Sequence, residues 1–246
     1  MAGVKTQGIV IKQSDFGESN RIITIFTREF GIIKAVVYGA KSIKSKKGAA
    51  CQFLTYADFI LSSKNSDLMT VQSVDVIESF YPLREDIEKL SLCVYFADLT
   101  YALLNQNSAD EVVLSLFLNT VYALCYRDFS QKIIKAVFEM RITSLAGYMP
   151  NIGECCVCSS KENFLAFSES FGGIVCKNCV HTGDIIITPD VYKAISYIIK
   201  SETKRMFSFT ISDEVLEKVC EICEKYVMAH TERSFSSLDY FKKIEL

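Results

Sequence analysis

Between Gln7 and Glu78 the apolar positions come in short runs rich in Ile, Val, Thr, Phe and Tyr, separated by turn-forming residues. Runs of this length and composition predict antiparallel strands. Five are expected, at residues 8–13, 21–27, 32–38, 53–62 and 68–77, with turns at 14–20 and 28–31. Five short strands suit a small OB-fold barrel, an architecture that often takes single strands of nucleic acid. After Tyr81 and Pro82 the apolar period lengthens. Ile87, Leu90, Val94, Ala97, Tyr101 and Leu104 fall at helical spacing, and Leu92, Phe96, Leu99 and Leu103 add a second apolar face, so this helix should be buried on most sides. Helices are expected next at 110–126 and 131–147, the second stopped by Gly147 with Pro150 beyond it. Pro189 opens another that runs through Lys200, and Ser212, Asp213 and Glu214 begin one that passes His230, which reads as a favourable cation or a surface residue.

Four cysteines interrupt the helical pattern as Cys155-x2-Cys158 and, after seventeen residues, Cys176-x2-Cys179. Each pair presents two thiolates from one tight turn, and two such turns complete a tetrahedral set suited to structural zinc, one ion per chain. Cys156 and His181 stand close enough in sequence to substitute, although the four paired cysteines are favoured. The residues Phe171-Gly172-Gly173-Ile174-Val175 read as a turn and short strand leading into the second pair. A closed four-ligand sphere leaves no position for water or substrate, which makes the segment structural. A further Cys220-x2-Cys223 pair shares a helix face with Leu216 and Val227 and reads as core, while Cys51, Cys93 and Cys125 read as packing.

These patterns predict an α+β chain. An N-terminal five-stranded OB-fold barrel spans residues 1–80, a helical domain spans 81–150 and 182–246, and a four-cysteine zinc-binding segment is inserted at 151–181. The chain of 246 residues, half of them hydrophobic and with only 3 Pro, supports sizeable cores and leaves little room for a disordered linker. No secretory signal is apparent near the start, and the longest uncharged apolar stretch, 112–126, is short for a bilayer span, so a cytoplasmic location without membrane is expected.

The net charge of −2 hides an asymmetry: residues 1–50 hold nine Lys and Arg against three Asp and Glu, a balance of +6 that leaves −8 for the remainder. A basic half of this kind points to a polyanion. Lys41, Lys44, Lys46 and Lys47 share the loop at 39–48, Arg21 and Arg28 bracket the second strand, and Lys34 lies within an apolar run. These seven are the candidate DNA-binding residues, able to follow a phosphate backbone without reading sequence. Phe16 and Tyr38 are candidates for base stacking, although an aromatic residue in a barrel is more often core. The chain carries no Walker-type glycine pattern and no triad context for its histidines, so catalysis is not expected. The enzyme alternative would use Cys155, Cys176 and Cys179 around an open zinc position, or Cys220 and Cys223 as a redox dithiol. A zinc-ribbon transcription regulator would need base-edge donors, for which the ribbon offers Lys177 and Asn178.

Several segments together resemble the RecO family of bacterial recombination mediators. They are Thr6-Gln7-Gly8-Ile9-Val10-Ile11, Asp15-Phe16-Gly17-Glu18-Ser19-Asn20-Arg21, Gly39-Ala40-Lys41, Leu83-Arg84-Glu85-Asp86, Phe138-Glu139-Met140-Arg141, Leu145-Ala146-Gly147-Tyr148-Met149-Pro150, and the paired cysteines with Gly172-Gly173. The resemblance covers nearly the whole chain and is weakest after Thr182. It implies binding of single- and double-stranded DNA, annealing of complementary strands, and cooperation with RecR to load RecA onto DNA covered by single-strand-binding protein. It also implies recruitment through the acidic and aromatic tail of that protein. Lys132, Lys135 and Arg141 are the candidate partner-binding cations for the tail. Asn20 stands where the family usually has Asp, and the basic loop carries Lys where Arg is common, which keeps charge but loses the bidentate fork.

Overall fold

Successive residues of a strand face opposite ways, and the buried positions Ile23 and Ile25, Ile33, Ala35 and Val37, and Ala57, Phe59 and Leu61 keep that period of two. They meet inside a closed barrel whose strands are β1 (Val4–Phe16), β2 (Asn20–Thr27), β3 (Gly31–Val37), β4 (Tyr56–Ser62) and β5 (Leu68–Glu78), ordered β1-β2-β3-β5-β4. The computed structural model describes residues 3–62, 68–104 and 108–244. β1 is long enough to serve two neighbours. Its first half pairs antiparallel with β4 from Val4↔Leu61 to Ile9↔Tyr56, and its second half pairs with β2 as far as Phe16↔Asn20. A register shift between Val10 and Lys12 bends the strand from one partner to the other. Parallel pairing of Lys34 with Leu68 and Val36 with Thr70 closes the barrel.

The loop at 39–48 is more ordered than its lysines and small residues suggest. It ends in a short helix, α1 (Lys46–Ala50), capped where the Ser45 hydroxyl accepts from the Gly48 N–H at 3.1 Å. A Cβ on Gly48 would lie 2.1 Å from the Ala40 carbonyl oxygen, so glycine is what allows the helix to close against the loop's first turn.

The chain divides into two compact units, Met1–Val121 with Ser236–Leu246, and Tyr122–Phe235. The first contains the barrel, α2 (Ile87–Leu103) and α7 (Ser236–Ile244). The Asp86 carboxylate caps α2 by accepting from the Lys89 N–H at 3.0 Å. Leu92, Cys93, Tyr95, Phe96 and Leu99 are all buried, which accounts for the two apolar faces. α7 is an element that the apolar period does not announce; it packs along α2, with Ser237 donating to Asp98 at 2.7 Å. α3 (Glu111–Tyr126) contains the boundary between the units.

In the second unit α4 (Gln131–Thr143) packs on α6 (Asp213–Thr231), burying Ile134, Val137 and Phe138 with Val219, Ile222 and Tyr226. α4 stops earlier than the expected Gly147, giving way to a π turn at Ser144–Tyr148 in which Gly147 takes φ 100°. A small sheet of β6 (Phe164–Ser168), β7 (Gly173–Cys176) and β8 (Ile185–Ile186) follows, in the order β7-β6-β8. α5 (Pro189–Lys200) is capped by Thr188. His230 lies in the last turn of α6, half-buried. It stacks on Tyr148 at 4.6 Å between centroids and meets the edge of Tyr226 at 4.3 Å, and burial lowers its pKa. Cys223 is fully buried and Cys51 lies in the barrel core, in agreement with the packing reading of these thiols. No helix among the described residues is long and apolar enough to cross a membrane.

Candidate metal centre and nucleic-acid interface

The first cysteine pair sits on a turn closed by Ser159 N–H to the Cys155 carbonyl at 2.9 Å and by Cys155 N–H to the Ser160 carbonyl at 2.7 Å. Ser159 adopts the left-handed region at φ 57° to make that turn. The second pair begins at the end of β7 and is turned by Cys179 N–H donating to the Cys176 carbonyl at 2.9 Å. Gly173 starts the strand at the crossing with Asn151, whose carbonyl oxygen would lie 2.1 Å from any Cβ there. The four sulfurs of Cys155, Cys158, Cys176 and Cys179 lie within 4.8 Å of one another, with Cys158 and Cys176 at 3.6 Å. Sulfurs on a tetrahedral zinc at about 2.3 Å would be roughly 3.8 Å apart, so the set has the dimensions of one ion.

The titration of the set fits the same chemistry. Burial pushes the Cys155 thiol up, but N–H donation from Cys158, Cys176 and Val157 outweighs it and holds the group at about 6. Cys179 is pushed up to about 12, first by its hydrogen bond with Cys158, with burial and the Cys155 charge adding to it. The surrounding N–H donors therefore favour a thiolate at Cys155, and its neighbours disfavour a second one at Cys179. The two possible substitutes stand outside the set. Cys156 directs its sulfur to the Asn151 carbonyl at 3.9 Å, and His181 lies against Phe171, centroids 5.4 Å apart, with its backbone N–H donating to the Asp184 carboxylate.

The basic residues of the barrel do not form one patch. Lys41 contacts Asp15 at 3.0 Å and the Gly17 carbonyl at 3.1 Å, and Arg21 approaches the same carboxylate at 3.6 Å. The amide oxygen of Asn20 accepts from the Gly39 N–H at 3.0 Å and so ties the β1–β2 turn to the basic loop. Lys44 and Lys46 are exposed in that loop, and Lys47 is half-buried. Phe16 and Tyr38 lie outside the core, 44% and 55% exposed, on the two segments that Asn20 joins. Arg28 lies seven residues beyond Arg21, across β2, a span of roughly 23 Å in a strand. It forms an ion pair with Glu111 instead of joining the loop. Lys34 is the one outward residue between buried neighbours on β3.

Two of the three cations proposed for a partner are internal. Lys135 is 5% exposed and pairs with Glu139 at 2.9 Å and Glu224 at 3.1 Å. The Arg141 guanidinium donates to the carbonyls of Ile198 and Ser201 and to the Ser201 hydroxyl. Glu139 is one turn along α4, but the other partners lie on α5, α6 and the turn after α5, more than fifty residues along the chain, and so escape a reading of α4 alone. Lys132, one turn earlier, is exposed. A cation that sequence reasoning does not single out, Arg84, lies half-buried at the start of the helical segment, and no local spacing marks it as a site.

Two family models match the chain. The recombination protein O N terminal covers residues 1–80, and the recombination protein O C terminal covers residues 84–239. Among curated relatives, DNA repair protein RecO of Acetivibrio thermocellus is 37% identical over 98% of this chain and 97% of its own length. The proteins of the same name from Caldicellulosiruptor bescii and Alkaliphilus metalliredigens are 29% and 28% identical, each over 98% of this chain and 99% of its own.

Proposed function

The chain belongs to the RecO family of DNA repair proteins, and from that membership we propose that it acts in repair as a non-catalytic DNA-binding mediator in the cytoplasm, at the nucleoid. It binds single- and double-stranded DNA, anneals complementary strands and, with RecR, helps load RecA onto strands covered by single-strand-binding protein. Residues 1–80 serve as the DNA-binding domain, and residues 81–150 with 182–246 serve as the helical domain into which 151–181 is inserted. The observation that carries the reading is the barrel's outward chemistry: Lys44, Lys46 and Lys34 are exposed and Phe16 and Tyr38 are uncovered nearby in sequence. Cations on such a surface lower the repulsion between two phosphate backbones, while aromatic faces hold unpaired bases without selecting among them.

Zinc, one ion per chain, is the metal assigned to Cys155, Cys158, Cys176 and Cys179, because an all-thiolate tetrahedral set favours it. Its role is to fix the turns of the segment. Recruitment by the tail of single-strand-binding protein would use Lys132, which is exposed on α4.

The test is annealing of two complementary strands precoated with single-strand-binding protein, with and without RecR, followed at several salt concentrations. Faster annealing with the protein than without it is expected, along with a loss of binding when Lys41, Lys44, Lys46 and Lys47 are neutralised together. The salt slope should fall by roughly 0.7 per lost single-strand phosphate contact. A slope unchanged in that variant would remove the loop from the interface.

A further inference from the structure

Arg84 lies in the 3₁₀ turn Tyr81–Glu85 that leads into α2 and is half-buried. Its guanidinium donates to the Gln52 side-chain oxygen and lies 3.4 Å from the Phe53 carbonyl and 3.5 Å from the Thr55 hydroxyl and the Ser79 carbonyl. All four acceptors are neutral. Among the described residues no carboxylate forms an ion pair with it. Burial accordingly lowers its pKa, with the Tyr81 ring 5.9 Å away as a partial offset. A cation withdrawn from water is ordinarily matched by an anion, because neutral dipoles recover only part of the lost hydration.

Arg84 also lines a cavity of about 400 Å³ together with Gln13, Arg21, Gln52, Phe53 and Leu90. That is within the range of small-ligand sites, roughly 300–1,000 Å³. No residue of the 39–48 loop lines it. The lining combines two fork-shaped cations, two amide side chains and an apolar wall. Guanidinium forks fit phosphate oxygens, amides fit the donor and acceptor edge of a base, and an aromatic face fits its plane.

We propose that this cavity binds one nucleotide of single-stranded DNA, with its phosphate between Arg84 and Arg21 and its base against Phe53 and Leu90. The proposal rests on the reading of the barrel as a DNA-binding domain and adds a seat apart from the basic loop. The phosphate supplies the counter-ion that Arg84 lacks. Gln13 and Gln52 reach the base edge, so the site holds a strand at a defined register while the loop lysines supply attraction without register.

The test uses the full-length protein and an oligothymidylate carrying one 5-iodouracil. Photo-cross-linking with peptide mass mapping reads where the base lies, and anisotropy across a salt series reads the phosphate contact. The wild type should cross-link at Phe53. Arg84→Gln should weaken binding roughly tenfold, the scale of one charge-assisted hydrogen-bonded contact. It should also reduce the salt slope by about 0.7. Since Arg84 also holds the carbonyls of Phe53 and Ser79, Gln13→Glu is the second variant: it alters an exposed lining residue and places a negative charge at the base edge of a site that also takes a phosphate. It should weaken binding and abolish the Phe53 adduct with the melting temperature unchanged. Normal affinity, slope and adduct in a folded Gln13→Glu or Arg84→Gln protein overturns the cavity assignment. Displacement of the adduct by an acidic peptide but not by thymidylate would also overturn it, in favour of a protein partner. If the wild type binds no oligonucleotide, the underlying DNA-binding reading has failed; if the four-lysine variant weakens and these two do not, only the cavity has.

Discussion

The backbone N–H of Cys176 donates to the sulfur of Cys155 across 3.3 Å. β7 therefore brings to the four-cysteine cluster one sulfur and the donor that steadies another. The same strand is fixed from its far end by the crossing of Gly173 with Asn151. Ligation by these sulfurs would couple directly to the local folding of this segment.

Replacing Cys176 with Ser should reduce bound metal from one equivalent to near zero. Loss of only about 3 kcal/mol would lower the melting temperature by roughly 6–12 °C in a chain of this size. Elemental analysis beside calorimetry checks both effects. Full retention of metal when Cys155 and Cys176 are both replaced would rule out the four-cysteine set.

Lys135 sits between Glu139, which is fully buried, and Glu224. Burial alone would lower the pKa of the ammonium, but the two carboxylates outweigh it and raise the group above its ordinary value. A raised pKa stabilises the fold at every pH below the unfolded value, and that contribution disappears only as strongly alkaline pH passes the folded one. Lys135→Met should therefore cost about 3–5 kcal/mol at neutral pH by leaving a buried carboxylate unmatched. Adding Glu139→Leu should recover most of the loss. Urea denaturation of the single and double variants decides it: equal losses would mean the pair is not the origin of the effect.

The barrel is legible in the sequence because its buried residues alternate with period two and its turns carry Gly, Asn and Asp. The clustering of Cys155, Cys158, Cys176 and Cys179 is legible from spacing alone. α1 is not, since Lys46-Lys47-Gly48-Ala49-Ala50 has no apolar period and a mid-helix glycine; its one signal is Ser45 at the cap. β6 escapes because Phe164–Ser168 lies between turns with no alternation to mark a face. The fate of α4's cations is hidden for a different reason. The pairing of Lys135 with Glu139 at i+4 is readable, but Glu224 and the carbonyls that capture Arg141 come from elements far along the chain. Sequence patterns report which face is apolar, and long-range packing decides which cation that face encloses.

Asp15 restrains both Lys41 and Arg21. A hydrogen bond from Lys41, with Arg21 nearby, holds its carboxyl below the usual range. The pairing therefore persists above the ordinary carboxylate pKa and is lost as pH falls through the lowered value. Asp15→Asn should release both cations and tighten binding of an oligothymidylate by roughly threefold at neutral pH, the scale of an exposed ion pair. Anisotropy titrations at low salt test this, and unchanged or weaker binding would show that neither cation faces the strand.

Gly48→Val separates how the basic loop is held from how much charge it carries. All four lysines remain, but a side chain at this position meets the Ala40 carbonyl oxygen at 2.1 Å, and that backbone contact cannot yield as a flexible side chain would. The helix of Lys46–Ala50 must move away from the turn at Ala40, carrying Lys46 and Lys47 with it. If the loop acts only by its charge, the phosphate backbone will find the displaced lysines equally well, and affinity and salt slope will match the wild type. If the ordered turn sets where the lysines meet the strand, one contact should be lost, worth roughly 1 kcal/mol or about a fivefold loss of affinity. The fold seen here, with Ser45 capping the helix and Asn20 tying Gly39 to the neighbouring turn, favours the second outcome. Anisotropy of an oligothymidylate against both proteins, with thermal melts to confirm an intact barrel, discriminates between the two.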